Sequence, residues 1–516
     1  MSSGVPWLTV LALLPLVGGA AMIFVKGPTA KYLGLTVSVL TLVLAIVLAL
    51  QYEVGGGMQF VEDVVWIRPL GAHYALGLDG IGLTLVLLTT ILTPVVLLAS
   101  WTEAERDKPG EVNPPPKWSS AAFFGLVLCI EGMGIFAFTA IDVFLFYLFF
   151  EVILIPMYFL IGAFGGARRG YAAGKFLLYG LGGGFIMLAS VIGLYVYSAQ
   201  AGTPSYLLSD LSQLQIPTGA GRWLFVGFMI AFAIKAPTVP FHSWMPDAIE
   251  QSTPGGAVML AGVLDKIGTF GMIRFCLYLF PEASRWATPV VLTLAALSII
   301  YGGVMAIGAK DLHRLIGWTS ISHFGFIVLG IFAFTSQSMV GSTLYMLNHG
   351  LSTAALFLVV GFMMARRGSR RVSDFGGVSK VAPLLAGLML FAGLSTLALP
   401  GLSPFVSEFM VTAGTFSRHP VYGSVAVFGI VLAALYILIM YQRTATGPVS
   451  PGVEQSVTSD LNGRERLALA PLVLLILVLG IFPRPFTAVI EPAVTAAMHH
   501  VGVSDPEPLV TAEGGR

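Results

Sequence analysis

Six ionisable side chains stand inside long apolar runs, where charge is costly: Glu151, Lys235, Lys266, His323, His349 and Glu408. A charge at the centre of a bilayer costs about 2.5–3.5 kcal/mol on insertion scales, so such groups mark ion or proton paths. Glu151 follows Phe149-Phe150 about nine residues into its run, near mid-depth. Lys235 lies about thirteen residues into a later run and Lys266 about twelve into the next, both too deep to reach an interface easily. Burial disfavours an ammonium and a nearby carboxylate favours it, so a lysine opposed by a movable glutamate can take up and release a proton as the pairing changes. A static Lys–Glu pair that holds two helices in register is the structural alternative. Glu408 sits just beyond Pro404, where proline-freed backbone groups need water or polar partners. Local backbone capping is its alternative role. Histidine titrates near neutral pH, which suits His323 and His349 to a relay between Lys266 and Glu408, against a neutral packing role with both nitrogens bonded. His242 is a weaker candidate of the same kind. Glu131, Lys175, Asp265 and Arg274 form a second tier. Asp265 directly precedes Lys266, and helix neighbours point about 100° apart, so the two need not pair. Asp142 reads as a helix N-cap.

The elements that hold these residues are membrane helices. Of 516 residues, 56% are hydrophobic and 10% charged, and the mean hydropathy is +0.87, against about 25% charged in a soluble domain. Apolar runs give about fourteen crossings, near 5 to 25, 33 to 51, 81 to 101, 119 to 138, 142 to 163, 174 to 198, 222 to 250, 254 to 280, 287 to 309, 314 to 334, 338 to 365, 381 to 417, 421 to 442 and 467 to 489. The expected fold is an all-α polytopic membrane protein. Lys235-Ala-Pro237-Thr-Val-Pro240 breaks the seventh run, and Leu399-Pro400-Gly401-Leu-Ser-Pro404 breaks the twelfth. Paired interrupted helices at matching places point to two inverted five-helix repeats, helices 4 to 8 and 9 to 13. The expected division is 1–118, 119–280, 281–445 and 446–516, the last holding a loop, helix 14 and an outer tail.

Charge sets the orientation. Lys26, Lys31, Arg106, Lys108, Lys117, Arg168, Arg169, Lys175, Lys310, Arg314, Arg366, Arg367, Arg370, Arg371, Lys380, Arg443, Arg464 and Arg466 fall in alternate loops. Arg68, Arg222, Arg285, Arg418, Arg484 and Arg516 fall in the others, so both termini are expected outside and the Arg-rich loops in the cytoplasm. The first run lacks the basic stretch of a cleaved signal peptide and reads as a permanent helix. A net charge of +1 gives no surface for nucleic acid. Cys129 and Cys276 stand alone in apolar runs, so no disulfide, zinc or iron–sulfur site is expected. The glycines at 182–184 form no nucleotide loop, since no strand precedes them.

Several stretches together resemble the antiporter-like subunits of respiratory NADH:quinone oxidoreductase and the multisubunit Na+/H+ antiporters. They are Leu76-Gly-Leu-Asp79-Gly80, Phe150-Glu151 to Ile155-Pro156-Met157-Tyr158, Ile234-Lys235-Ala-Pro237 through Phe241-His242-Ser-Trp244-Met-Pro246-Asp247-Ala248, Leu260-Ala-Gly262 to Lys266, Lys310-Asp311 to Arg314-Leu-Ile316 with Ser320-Ile-Ser322-His323, and Asn348-His349-Gly350-Leu-Ser352. The resemblance covers most of residues 70 to 450. It implies a redox-driven proton pump module in which Glu151 and Lys235 are the coupling pair, Lys266 the central carrier, His323 and His349 the relay and Glu408 the terminal acid. Flavin, iron–sulfur clusters and quinone would belong to partner subunits, among them the L-type and N-type relatives. An acid at position 408 resembles the M-type subunit, where the other types usually carry lysine. The short stretch after helix 14 agrees, because the L-type has a long lateral helix there. His313, Trp318 and Asp265 depart from the family pattern, the first two changing a loop and a packing surface. The absence of a transit peptide and the Arg-over-Lys bias point to a bacterial inner membrane. A standalone cation/proton antiporter subunit and a non-pumping scaffold are the rival readings.

Overall fold

The computed structural model describes residues 4–105, 114–202 and 204–507; Arg106, Lys108 and Arg516 of the charge pattern lie outside them. The chain begins with α1 (Trp7–Ala21) and α2 (Thr29–Gln51), then leaves the helical pattern for an antiparallel hairpin, β1 (Gln59–Ile67) and β2 (Ala72–Leu78). The all-α expectation is corrected here. Val61, Val64, Val65, Trp66 and Ile67 favour an extended chain, and Gly71 closes the turn at φ 60°.

Next come α3 (Gly80–Ala99), α4 (Ser120–Thr139), α5 (Val143–Val152), α6 (Leu154–Phe164), α7 (Arg169–Gln200) and one-turn α8 (Leu208–Leu211). Asp142 is the N-cap of α5, as its position suggested, and its carboxylate accepts the Leu145 N–H at 2.8 Å. The same carboxylate takes the His73 N–H at 2.9 Å, tying the hairpin to the helix start.

The seventh run breaks at its prolines into α9 (Thr218–Lys235) and α10 (Trp244–Gln251). The following span, Pro254–Leu279, consists of α11 (Pro254–Met259), α12 (Asp265–Gly271) and α13 (Leu277–Leu279), joined by π turns at Leu260–Leu264 and Met272–Cys276. Such turns are rare and concentrate at functional sites. Then follow α14 (Pro281–Ile307), α15 (Leu312–Phe332), α16 (Ser336–Arg367), the short α17 (Val378–Val381), and the second broken pair, α18 (Pro383–Thr396) and α19 (Ser403–Arg418). Ala398 is held at φ 60° within that break, a conformation that alanine rarely adopts. The start of α18 is capped from a distance by Asp460, which accepts the Leu384 and Leu385 N–H groups at 2.8 and 2.9 Å. Burial raises the Asp460 pKa, but these bonds, that from the Leu461 N–H and the nearby Arg366 outweigh it and hold the carboxyl below its ordinary value.

The chain closes with α20 (Pro420–Ala445), α21 (Pro451–Ser456), α22 (Gly463–Ile481) and α23 (Arg484–Val501). The last crossing was expected to reach residue 489, but it ends at Ile481, where Pro483 and Pro485 turn the chain by 70° into α23. This helix lies over the start of α3, its Val489 carbonyl so near Gly80 that a Cβ there would sit 1.8 Å away.

Among the described residues, ten helices are long and apolar enough to cross a membrane, or eleven counting α22 with α23. The chain is thus a multi-pass integral membrane protein. The span Pro254–Leu279, α15 and α16 are buried on all sides, whereas α2, α7, α14 and α20 expose apolar faces through residues such as Val43, Leu178, Val304 and Val431. The three central helices therefore carry Lys266, His323 and His349 away from lipid.

Candidate functional site

The sequence of α9 brings Lys235 to the end of a half-helix. Its last-turn carbonyls lose their partners at Pro237 and Pro240, and the negative end of the helix dipole favours a cation there. One of those carbonyls, that of Ile234, accepts the Trp244 indole N–H at 2.9 Å. Lys235 Nζ donates to the Phe150 carbonyl at 2.7 Å and lies 4.1 Å from the centre of the Phe150 ring. Glu151, next in sequence, interacts electrostatically with Lys235. Its carboxyl group rests on Gly184 of α7, where a Cβ would stand 1.7 Å from Oε1. The bare Cα of Gly184 leaves room for this carboxyl. For the proton path that the sequence resemblance implies, Gly184→Ala is expected to displace Glu151 and lower transport by up to about a hundredfold, the scale of a misplaced reacting group. Gly180→Ala, which meets Leu154 instead, serves as the packing control.

Asp265 and Lys266 occupy the α-helical turns between the two π segments. Both are wholly buried. Gly268, one turn after Asp265, packs against α9 so closely that a Cβ would lie 2.7 Å from the Ala236 nitrogen, which puts this face of α12 beside the end of α9. Asp265 interacts electrostatically with both Lys235 and Lys266, and neither of its carboxylate oxygens has a hydrogen-bond partner among the described residues. Lys266 turns the other way. Its Nζ reaches the Ala261 carbonyl, within the first π segment, stands 2.7 Å from His349 Nδ1 and lies 5.1 Å from the centre of the Phe324 ring.

From His349 the polar groups continue. The His323 and His349 rings are 5.3 Å apart, and His349 Nε2 and His323 Nδ1 each lack a protein partner among the described residues. On its other side His323 Nε2 is 3.2 Å from the Tyr436 hydroxyl. The Tyr345 ring lies 6.0 Å from that of His323, and its hydroxyl donates to Glu408 Oε2 at 2.8 Å. Asn348 Nδ2 donates to the Ser403 carbonyl at 2.7 Å, satisfying a backbone group next to the second break with a side chain. Tyr345 and Tyr436 were absent from the sequence reading. Tyr345 precedes His349 by four residues and so shares its helix face, a signal within reach; Tyr436 arrives from α20 only through packing.

Other second-tier candidates stand apart. Lys175 is bound to Asp247 at 2.7 Å in a cluster with Arg314, Glu250 and Arg168 at the loop end of α7 and α10. His242 packs between the Tyr301 and Trp318 rings, at 5.1 and 5.7 Å, beside this cluster. Glu131 is wholly buried with Thr93 of α3 as its polar neighbour. Arg274 is paired with Asp79, the N-cap of α3, at 2.6 Å, which fits a structural tie. His313, expected in a loop, is wholly buried in the first turn of α15 against Phe357.

Known proteins resemble this chain in sequence and fold. Residues 140–433 match the family model described as NADH:quinone oxidoreductase/Mrp antiporter, TM. The NADH-quinone oxidoreductase subunit M of Mycobacterium tuberculosis is 50% identical, the match covering 98% of this chain and 97% of that protein. A chain in the structure of respiratory complex I from Thermus thermophilus with bound NADH superposes with a TM-score of 0.86 at 31% identity, over 96% of this chain and 100% of that one. The Mrp complex from Dietzia sp. shares the fold, with a TM-score of 0.83 at 21% identity, over 96% and 99%. With the two broken helices and the buried acid–base line already in place, the chain belongs to the NADH:quinone oxidoreductase/Mrp antiporter family of membrane subunits.

Proposed function

We propose that the chain is the M-type, proton-translocating membrane-arm subunit of an NADH-quinone oxidoreductase, and that protons cross it by way of Glu151, Lys235, Asp265, Lys266, His349, His323 and Glu408. The observation that carries this reading is the buried succession of acid–base groups running from one broken helix to the other, with Lys266 2.7 Å from His349 at its centre. When Glu151 moves away from Lys235, the ammonium loses its counter-charge and favours releasing its proton. Asp265, facing both lysines, receives that change and passes it to Lys266. Lys266 then donates to His349 Nδ1. Water between His349 Nε2 and His323 Nδ1 completes the relay, since buried polar groups of this kind are ordinarily paired with protein or water. Tyr436 and Tyr345 carry the path on to Glu408.

The scaffold of this reading is fourteen crossings in two inverted repeats, 119–280 and 281–445, each broken in its fourth helix. Both termini face the outside of a bacterial inner membrane, and L-type and N-type subunits flank the chain. Flavin, iron–sulfur clusters and quinone sit in partner subunits, and this chain supplies only the proton path. The acid at position 408 favours this over a subunit of a standalone Na+/H+ antiporter. Glu131, Lys175 and His242 remain secondary stations of the path.

Glu151→Gln in the assembled complex tests the proposal through protons moved per electron passed to quinone. A ratio reduced by this subunit's share, with assembly intact, is expected. An unchanged ratio would leave the chain a scaffold.

A further inference from the structure

We propose that the Arg-rich face holds a binding site for an anionic phospholipid headgroup, in a cavity of about 1290 Å3 where the ends of α14, α16 and α20 meet. Lys310 comes from the loop after α14, Arg371 from the loop after α16 and Arg443 from the last turn of α20. The two loops are fastened backbone to backbone: Leu312 N–H donates to the Arg370 carbonyl at 3.0 Å, and Val372 N–H to that of Lys310 at 2.9 Å. The cations are therefore presented on a built edge.

The acids lining the same cavity are already engaged. Asp311 faces Arg370 at 3.5 Å, and Glu250 is held by Arg314 at 2.7 Å and Arg168 at 3.0 Å. Lys310, Arg371 and Arg443 form no ion pair among the described residues, Arg371 meeting Asp374 only through a longer-range electrostatic interaction. Three free cations around one concave space fit a phosphoryl group, whose oxygens accept several charged hydrogen bonds at once.

The surroundings favour lipid as its source. Val304 and Met305, about one turn before the end of α14, and Leu438 and Leu435, about two to three turns before the end of α20, expose apolar side chains on two of the helices that end at the cavity. Acyl chains lying on this apolar strip would bring a headgroup phosphate level with the three cations. Basic pockets between helices on the cytoplasmic side are suited to such headgroups. Because Glu250 ends α10, the second half of the broken helix, bound lipid would also steady the ion cluster that anchors that half.

Native mass spectrometry of the assembled, delipidated complex tests the site with phosphatidylglycerol, phosphatidylcholine and inorganic phosphate as probes. The triple variant Lys310→Gln, Arg371→Gln, Arg443→Gln is expected to lose retained phosphatidylglycerol on the order of a hundredfold, each cation near the surface contributing about fivefold. Phosphatidylcholine retention stays as in the parent, and the charge-keeping variant Lys310→Arg, Arg371→Lys, Arg443→Lys keeps phosphatidylglycerol. Should the triple variant fail to assemble, Arg443→Gln alone, at an exposed helix end, is expected to show a several-fold loss. Equal phosphatidylglycerol retention by parent and variant overturns the proposal. So does displacement of the lipid by millimolar phosphate, which would make this a free-anion site, or an acidic segment of a partner subunit found filling the cavity.

Discussion

Alanine at position 266 is expected to reduce proton transfer through this chain on the order of a hundredfold or more, the usual scale for losing a positioned proton donor. Lys266 is wholly buried, and among the described residues its polar neighbours within bonding distance are His349 and the Ala261 carbonyl, so no exposed group stands ready to replace it. The decisive companion is Lys266→Arg. Arginine keeps the positive charge beside Asp265 and so preserves the electrostatic balance of the fold, but it does not give up its proton in a protein. Reconstituted complex carrying Lys266→Arg should assemble and yet show protons per electron as low as Lys266→Ala. Normal pumping by the arginine variant would remove Lys266 from the path and leave it a structural cation.

Glu408→Gln is expected to have an effect of the same order. The substitution keeps volume, and the amide oxygen still accepts the Tyr345 hydroxyl that now stands 2.8 Å from Oε2, so packing is preserved while the exchangeable proton is lost. The measurement is again quinone-driven proton uptake by proteoliposomes, with assembly checked on native gels. Tyr345→Phe should cost less, about tenfold, because the carboxyl remains and water can replace a hydroxyl. A Glu408→Gln complex with the parent's proton-to-electron ratio would place the exit of the path elsewhere.

Much of this architecture was legible because the bilayer punishes exceptions. Glu151, Lys235, Lys266 and Glu408 stood out as charges in apolar runs, and Pro237, Pro240 and Pro404 located both broken helices without knowledge of the fold. The hairpin at Gln59–Leu78 was missed because its strands, nine and seven residues long, are too short to cross as helices, so a search for spans passes over them. The turn into α23 was missed because an apolar run continues through Pro483 and Pro485. Within the site, residue type gave the candidates but not their neighbours. Asp265 and Lys266 adjoin in sequence and interact with each other, but Asp265 also interacts with Lys235 while Lys266 reaches His349, and only the packing of α12 against α9 and α16 reveals those two further partners. The Lys175 pair with Asp247, like the tie between Arg274 and Asp79, depends on helices far apart in sequence.

Everything proposed about pumping requires that protons can pass between side chains too far apart to touch. The most direct measurement is the ordered water in an experimental structure of the assembled complex, at a resolution that shows individual molecules between the His349 and His323 rings and around Asp265. The account predicts water within hydrogen-bond distance of His349 Nε2, His323 Nδ1 and the Asp265 carboxylate, joining Lys235 to Glu408. Apolar atoms packed dry against those same nitrogens and oxygens, in every state of the working enzyme, would contradict it.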